Sequence, residues 1–210
     1  MKKIPSLFLR DFDGDPSRVT KVSDPSCDWV FNHEGKATRK WDGTACLIRD
    51  GLIFKRLDLK RNKKTGKRKE RPDGWEPSQD PDEKTGHWPG WMWVGDGPED
   101  IWHRIAFEKE PNMFGSCELI GPKINGNPER EENHRLVPHG TWIVGLLAVN
   151  FEDIRSHLWV YDYLEGIVWH HPDGRMAKIK RRDFGFQWPI KQPAHRWAMD
   201  RDKRLEGMPQ

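Results

Sequence analysis

Between Thr44 and Arg56 the chain reads "TACLIRDGLIFKR", two short apolar runs separated by Arg49-Asp50-Gly51. Asp-Gly between apolar runs predicts a hairpin, because Gly tolerates positive φ and Asp bonds its own backbone. Downstream, "FGSCELIGPKINGN" predicts a strand that ends at Gly121-Pro122, and the apolar run "GTWIVGLLAV" predicts a buried strand. Two stretches switch to helical spacing. "IWHRIAFEKE" places Ile101, Ile105 and either Trp102 or Ala106 on one side, behind the acidic start Pro98-Glu99-Asp100. "NFEDIRSHLWVYDYL" aligns Phe151, Ile154, Leu158 and Tyr161, with Asn150 as N-cap and Glu152 and Asp153 in the first turn. Residues 58–100 hold many turn formers, as in "RPDGWEPSQDPDEKTGHWPGW", and read as a surface insertion loop pinned by Trp75, Trp88, Trp91 and Trp93.

A last pair of strands is predicted in "EGIVWHHPDGRMAKIKRRDFGF". With His171-Pro172-Asp173-Gly174 as the loop, strict pairing sets Glu165 opposite Lys180 and Ile167 opposite Lys178. Glu165, Lys178 and Lys180 then point to one side, and Val168 and Ile179 to the other. Two lysines and an acid on one wall make either an anion and metal pocket or a solvent-facing hairpin with cross-strand charge pairs. His170 and His171 are adjacent, so they face opposite ways, and no third ligand is spaced to join them; they read as residues flanking a turn.

Composition narrows the class. The chain has 210 residues, 35% of them hydrophobic and 33% charged, so twelve Trp and nine Phe must supply much of the core. That length predicts one domain over residues 1–210. A net charge of +3 does not by itself imply a polyanion partner, but residues 55–71 pack ten cations against two acids. That run is either a solvated loop or an electrostatic surface. Cys27, Cys46 and Cys117 are odd in number and lack ligand spacing, which fits a reducing, intracellular setting without a zinc site. The apolar start is cut short by Arg10 and Asp11, too soon for a signal peptide, and no stretch approaches a membrane span.

Lys40 stands directly before Trp41-Asp42-Gly43-Thr44. Alone, it is a solvated strand-end lysine before a turn, or a nucleophile. Four elements in order favour the nucleophile: Lys40-Trp41-Asp42-Gly43, Phe54-Lys55-Arg56, Glu118-Leu119-Ile120-Gly121, and Glu165-Gly166-Ile167-Val168 followed by Lys178-Ile179-Lys180. This order resembles the covalent nucleotidyltransferase superfamily, with its KxDG, arginine-bearing segment, glutamate strand, EGxV and KxK. Within it, "CELIGPKINGNP", "GHWPGW" and "EGIVWHHPDGRMAKIKRRDFG" resemble ATP-dependent RNA ligases, specifically the small 5′-to-3′ RNA ligase family with vertebrate and viral members.

The resemblance implies an α+β fold: one nucleotidyltransferase (ATP-grasp-like adenylation) domain with antiparallel sheets, the insertion at 58–100, and a C-terminal tail at 186–210. Thirty residues follow Lys180, so the oligonucleotide-binding (OB) domain of capping enzymes and DNA ligases is expected to be absent. It implies a chain that self-adenylates on Lys40, transfers AMP to an RNA 5′-phosphate and joins it to a 3′-hydroxyl. Asp42 would orient Lys40, or serve only as a turn residue. Neighbouring cations, Lys178 and Lys180, would lower the pKa of Lys40 and neutralise phosphate charge. Gly43, Arg56 and Glu118 would lie against the nucleotide, and Glu165 would hold Mg²⁺, with Mn²⁺ as substitute. Trp142 is either a core tryptophan or the ring against adenine. Lys63, Lys64, Lys67 and Arg68 would bind RNA phosphates, helped by flanking tryptophans that stack on bases, and Lys123 and Asn125 in "GPKING" would touch phosphate or RNA or be plain loop residues. Arg39 departs from the family pattern, where an acid precedes the lysine. The expected setting is cytoplasmic (host cytoplasm if virus-encoded), as a monomer without membrane contact. The rival functions are a capping-type or end-adenylating enzyme that does not seal, and a non-catalytic RNA-binding module.

Overall fold

The computed structural model describes residues 3–62, 64–83, 85–146, 148–190 and 208. In chain order the elements are β1 (Phe8–Arg10), β2 (Val19–Ser23), α1 (Asp28–Phe31), β3 (Lys36–Lys40), β4 (Thr44–Arg49), β5 (Leu52–Lys60), β6 (Trp75–Pro77), β7 (His87–Trp93), α2 (Ile101–Glu108), β8 (Gly115–Ile120), β9 (Arg135–Pro138), α3 (Phe151–Val160), β10 (Gly166–His170) and β11 (Met176–Lys180). The class is α+β with antiparallel sheets, as the sequence predicts. The chain divides into two compact units. One is built from Asp42–His139, and the other from Ile4–Trp41 together with the chain from Gly140 onward. No helix among the described residues is long and apolar enough to cross a membrane.

The first unit is a six-stranded antiparallel sheet in the order β6-β7-β5-β4-β8-β9. The predicted hairpin at its centre is present: Arg49 pairs with Leu52 across Asp50 and Gly51, both at positive φ (54° and 72°), the backbone twist that a two-residue hairpin requires. Cys46, Ile48, Ile53, Cys117, Leu119 and Leu136 face a core that α2 closes with Ala106. Residues 58–100, expected to be a surface loop, instead carry β5 to its end at Lys60 and supply β6 and β7. Pro and Gly conceal these strands in the sequence. Gly90 is needed where β6 crosses, since a Cβ there would lie 2.2 Å from the Trp75 ring. Trp75 and Trp91 are buried in these strands.

In the second unit a three-stranded sheet, β11-β10-β3, has one face on the core and one face cationic. Ile167, Trp169, Ala177 and Ile179 join Leu7, Trp29, Ile154 and Leu158 in the core, each large apolar side chain contributing about 1.5–3 kcal/mol by burial. Helix α3 starts as predicted: the Asn150 side chain accepts from the Asp153 amide at 2.9 Å, a cap that stabilises by about 1 kcal/mol. It ends at Val160, so Tyr161 lies beyond the helix and is exposed. Both sheet edges are covered. Lys178 exchanges backbone hydrogen bonds with Pro5 and Leu7 along β11, while Arg39 donates to the Trp142 carbonyl and Val144 to the Ala37 carbonyl along β3.

Those edge contacts correct the reading of residues 140–149 as a buried strand. Among the described residues they make a single bridge, Ile143 to Thr38, and Trp142 and Ile143 are exposed. The apolar signal there comes from Val144, Leu146 and Val149, which pack on the core from an irregular backbone. The predicted tail at 186–210 lies mostly outside the described residues.

Candidate nucleotidyl-transfer site

The lysine face is set by register. Gly166 of β10 pairs with Lys40 on one side and Lys180 on the other, and Val168 pairs with Thr38 and Lys178. Side chains alternate, so Lys40, Lys178 and Lys180 share the face opposite to Ile167 and Ile179. The sequence reading was one residue out: the loop spans His171 to Arg175, Val168 falls with the lysines, and Ile167 joins Ile179 in the core. The added residue follows from Gly174 at φ 90°, the left-handed position that ends a type I turn with a bulge.

Glu165 stands just before β10 and still reaches this face. Its Oε2 lies 2.5 Å from Lys40 Nζ and its Oε1 3.6 Å from Lys180 Nζ. The carboxylate is 2% exposed, and its backbone carbonyl accepts from the Arg181 amide at 2.9 Å, which ties the start of β10 to the end of β11. Lys40 Nζ also donates to the Trp41 carbonyl at 3.2 Å. Gly166 carries no side chain between the flanking lysines, and a Cβ there would meet the Ile179 carbonyl oxygen at 2.2 Å. Burial, then the charges of Lys180 and Lys40, push Lys178 down to about 8, while Asp183 and Glu165 oppose that shift. The low-pKa lysine visible here is therefore Lys178.

Arg39 projects from the other face of β3, its guanidinium carbon 3.8 Å from the centre of the Trp41 ring and 5.4 Å from that of Trp142. It also donates to the Tyr163 carbonyl at 3.0 Å. Trp142 packs edge-on against Trp41 at 5.5 Å and is 49% exposed, so it is not the core tryptophan of the plainer reading. Its described partners are Arg39 and Trp41 rather than the lysines.

The other unit begins at Asp42. Its amide donates to Glu129 Oε1 at 2.8 Å, while Asn125 Nδ2 donates to Asp42 Oδ1 at 3.0 Å and to the Gly43 carbonyl at 2.8 Å. Gly43 allows this bend to sit against β8: a Cβ would lie 2.1 Å from the Leu119 carbonyl oxygen. The loop that supplies Asn125 and Glu129 depends on positive φ at Asn125, Gly126 and Asn127 (48°, 76° and 58°). Asn125, expected to touch phosphate or RNA, thus braces the Asp42-Gly43 bend. Lys123 in the same loop is exposed.

Glu118 lies in β8, where its Oε2 is 2.8 Å from His139 Nε2, a partner the sequence did not flag. Arg56 in β5 pairs with Asp58 Oδ1 at 2.7 Å and lies 5.7 Å from the Trp91 ring centre. Of the expected RNA contacts, Lys64 and Lys67 are exposed, and Lys63 lies outside the described residues. Arg68 differs from them: it is mostly covered, 5.3 Å from the Trp88 ring centre, with Glu83 at 3.7 Å. Arg71 lies over the same ring at 4.0 Å. The tryptophan expected to stack on bases is here stacked on arginines.

Comparison with known proteins adds an independent line. Residues 111–197 match the RNA ligase 1 family. The chain is 28% identical to RNA ligase 1 of Mus musculus over 272 aligned positions, covering 90% of this chain and 82% of that protein. It is 28% identical to RNA ligase 1 of Danio rerio over 269 positions with the same coverage. Against RNA ligase 1 of Pongo abelii the identity is 28% over 224 positions, 73% of this chain and 68% of that protein. The family model and the curated relatives thus agree with the motif order in one respect: the chain is similar to RNA ligase 1 proteins.

Proposed function

We propose that the chain is an ATP-dependent RNA ligase that takes AMP onto Lys40, passes it to an RNA 5′-phosphate and joins that end to a 3′-hydroxyl. The observation that carries this reading is the lysine face, where Lys40, Lys178 and Lys180 surround one buried carboxylate. In the first step Lys40 Nζ bonds to the α-phosphorus of ATP as the bond to pyrophosphate breaks. The amine must first lose a proton, and Glu165 Oε2 at 2.5 Å is the acceptor at hand. Lys178 and Lys180 face the charge that builds on the phosphate and the departing pyrophosphate. With Lys178 near 8, its share of that charge is present at neutral pH and is lost as pH rises above it.

Glu165 also suits Mg²⁺, which retains waters, shares substrate phosphates and needs only one or two protein carboxylates. Among the described residues no group of three or more His, Cys, Asp or Glu offers another metal site. Bound Mg²⁺ would supply neutralisation of phosphate charge. The motif order supports the roles of Arg56 and Glu118 at the ribose and phosphate and of Asp42 and Gly43 as the bend following Lys40. The proposed place of Trp142 against adenine is supported by its exposure alone.

Incubation with each α-labelled nucleoside triphosphate and Mg²⁺ tests the reading. ATP alone should label the chain, through a bond that acid breaks and base does not. Labelling by GTP without sealing of RNA ends would favour a capping-type enzyme, and no labelling by any nucleotide would leave an RNA-binding module.

A further inference from the structure

In the unit that carries the lysine face, Lys180 also lines an open groove of about 580 Å³. The end of β1 supplies Arg10 to its walls, the connection to β2 supplies Asp15 and Arg18, and the turn after β11 supplies Arg182 and Asp183. A neighbouring cavity of about 250 Å³ shares Arg18 and Asp183 and adds Lys21, Glu152 and Arg155. Along the two, six cations face three carboxylates.

The carboxylates are committed to holding the walls. Asp183 is nearly buried; its Oδ1 pairs with Arg10 at 2.7 Å and its Oδ2 accepts from the Lys180 amide at 2.8 Å. Asp15 accepts from the Ser17 amide and hydroxyl and faces Arg18 at 3.3 Å, and Glu152 holds Lys21 at 2.5 Å. The Arg18 and Lys21 pairs are exposed, and such pairs hold their cations weakly enough for a phosphate to compete. Asp11 of the same connection is spent on the Gly14 amide, at 2.9 Å. Gly185, at φ 78°, seats the Arg18 guanidinium: a Cβ there would lie 2.7 Å from its central carbon.

We propose that this groove is a phosphate track for the RNA strand, entered past Arg155 and Arg18 and ending at Arg182 and Lys180. The identity of the polymer rests on the RNA-ligase reading; the site itself rests on the groove. A pyrophosphate tail would be satisfied within the larger cavity, whereas the smaller one, reached past Arg18, serves only an anion that repeats along a chain. None of the residues that line the track belongs to the basic run 60–71.

The test is fluorescence anisotropy of a short 5′-phosphorylated RNA, titrated without nucleotide across a range of salt. Three double variants are compared: Arg18→Gln with Arg182→Gln, the same positions to Lys, and Lys64→Ser with Lys67→Ser. The Gln pair should bind roughly tenfold more weakly and flatten the dependence of log K on log salt by about 1.4, or ~0.7 for each lost contact to a single strand. The Lys pair should bind close to wild type, because a phosphate accepts either cation, and thermal unfolding of all variants should match wild type. Wild-type affinity and salt slope in the Gln pair would overturn the proposal, as would failure of the Lys pair to restore binding. So would a Gln pair that keeps its RNA affinity but takes up less AMP from labelled ATP, since the groove would then serve the nucleotide's pyrophosphate. If the groove binds RNA in a wild-type chain that never accepts AMP, the ligase reading fails and the track stands.

Discussion

Two regions concentrate lysine and arginine and treat them in opposite ways. Along residues 60–71, Lys64 and Lys67 stand in water while Arg68 and Arg71 lie over the Trp88 ring. On the β3-β10-β11 face, Lys40 and Lys180 reach a carboxylate that is 2% exposed, and Lys178 falls to about 8. The first region holds more cations along the chain, ten between residues 55 and 71. Burial beside like charges changes a lysine's chemistry, whereas a run of cations in solvent only attracts anions.

The largest effect expected from breaking this contrast is at Glu165. Glu165→Ala removes the carboxylate the lysines share and should cost on the order of 3 kcal/mol in chemical denaturation. Because Glu165 helps hold the Lys178 pKa up, the Lys178 midpoint, read by NMR of ¹³C-methylated lysines, should fall below about 8 in the same variant. An unchanged midpoint would show that the two groups do not share a field. The sign with pH also follows. Between about 8 and the ordinary 10.5 the unfolded chain binds more protons at Lys178 than the native one, so this group's contribution to stability rises with pH, and Lys178→Met should remove that slope.

Gly166→Ala comes next. Its methyl would press on the Ile179 carbonyl, forcing β10 from β11 at a cost of about 1–3 kcal/mol, with loss of AMP labelling as the flanking lysines separate. In the basic region, Arg71→Ala should cost only about 0.5–1 kcal/mol, the worth of an exposed cation over a half-buried ring. Lys64→Ser with Lys67→Ser should leave stability within about 0.5 kcal/mol and self-labelling unchanged. A large loss of stability from that last pair would contradict its description as solvated.

How much could be read from the sequence depended on whether local chemistry fixed the outcome. Asp50-Gly51 and the Asn150 cap act within a few residues, and both formed as read. The order of the lysine and glutamate motifs singled out Lys40, Glu165, Lys178 and Lys180, which the fold brings to one face. Register failed at His171 to Arg175 because a single left-handed glycine adds a residue to the loop, and alternation cannot detect it. Even so, the expected groups meet, because Glu165 lies at the strand entrance, free of the pleat. The strands β6 and β7 were hidden by Pro77, Pro89 and Gly90, whose propensities argue against the pairing that tertiary contacts impose. His139 at Glu118, and Glu129 at the Asp42 amide, are long-range partners that no local spacing signals.

The most direct test of the lysine face as the seat of covalent chemistry is AMP labelling of Lys40→Arg. Arg keeps the charge facing Glu165 but stays protonated at any working pH and cannot attack phosphorus. The wild-type chain, incubated with ATP and Mg²⁺, should gain one AMP that peptide mapping places on Lys40. The variant should keep the wild-type unfolding transition, take no label, and still seal RNA that already carries a 5′-adenylate. Labelling retained in folded Lys40→Arg, or an adduct mapped to any other residue of the wild-type chain, would contradict it.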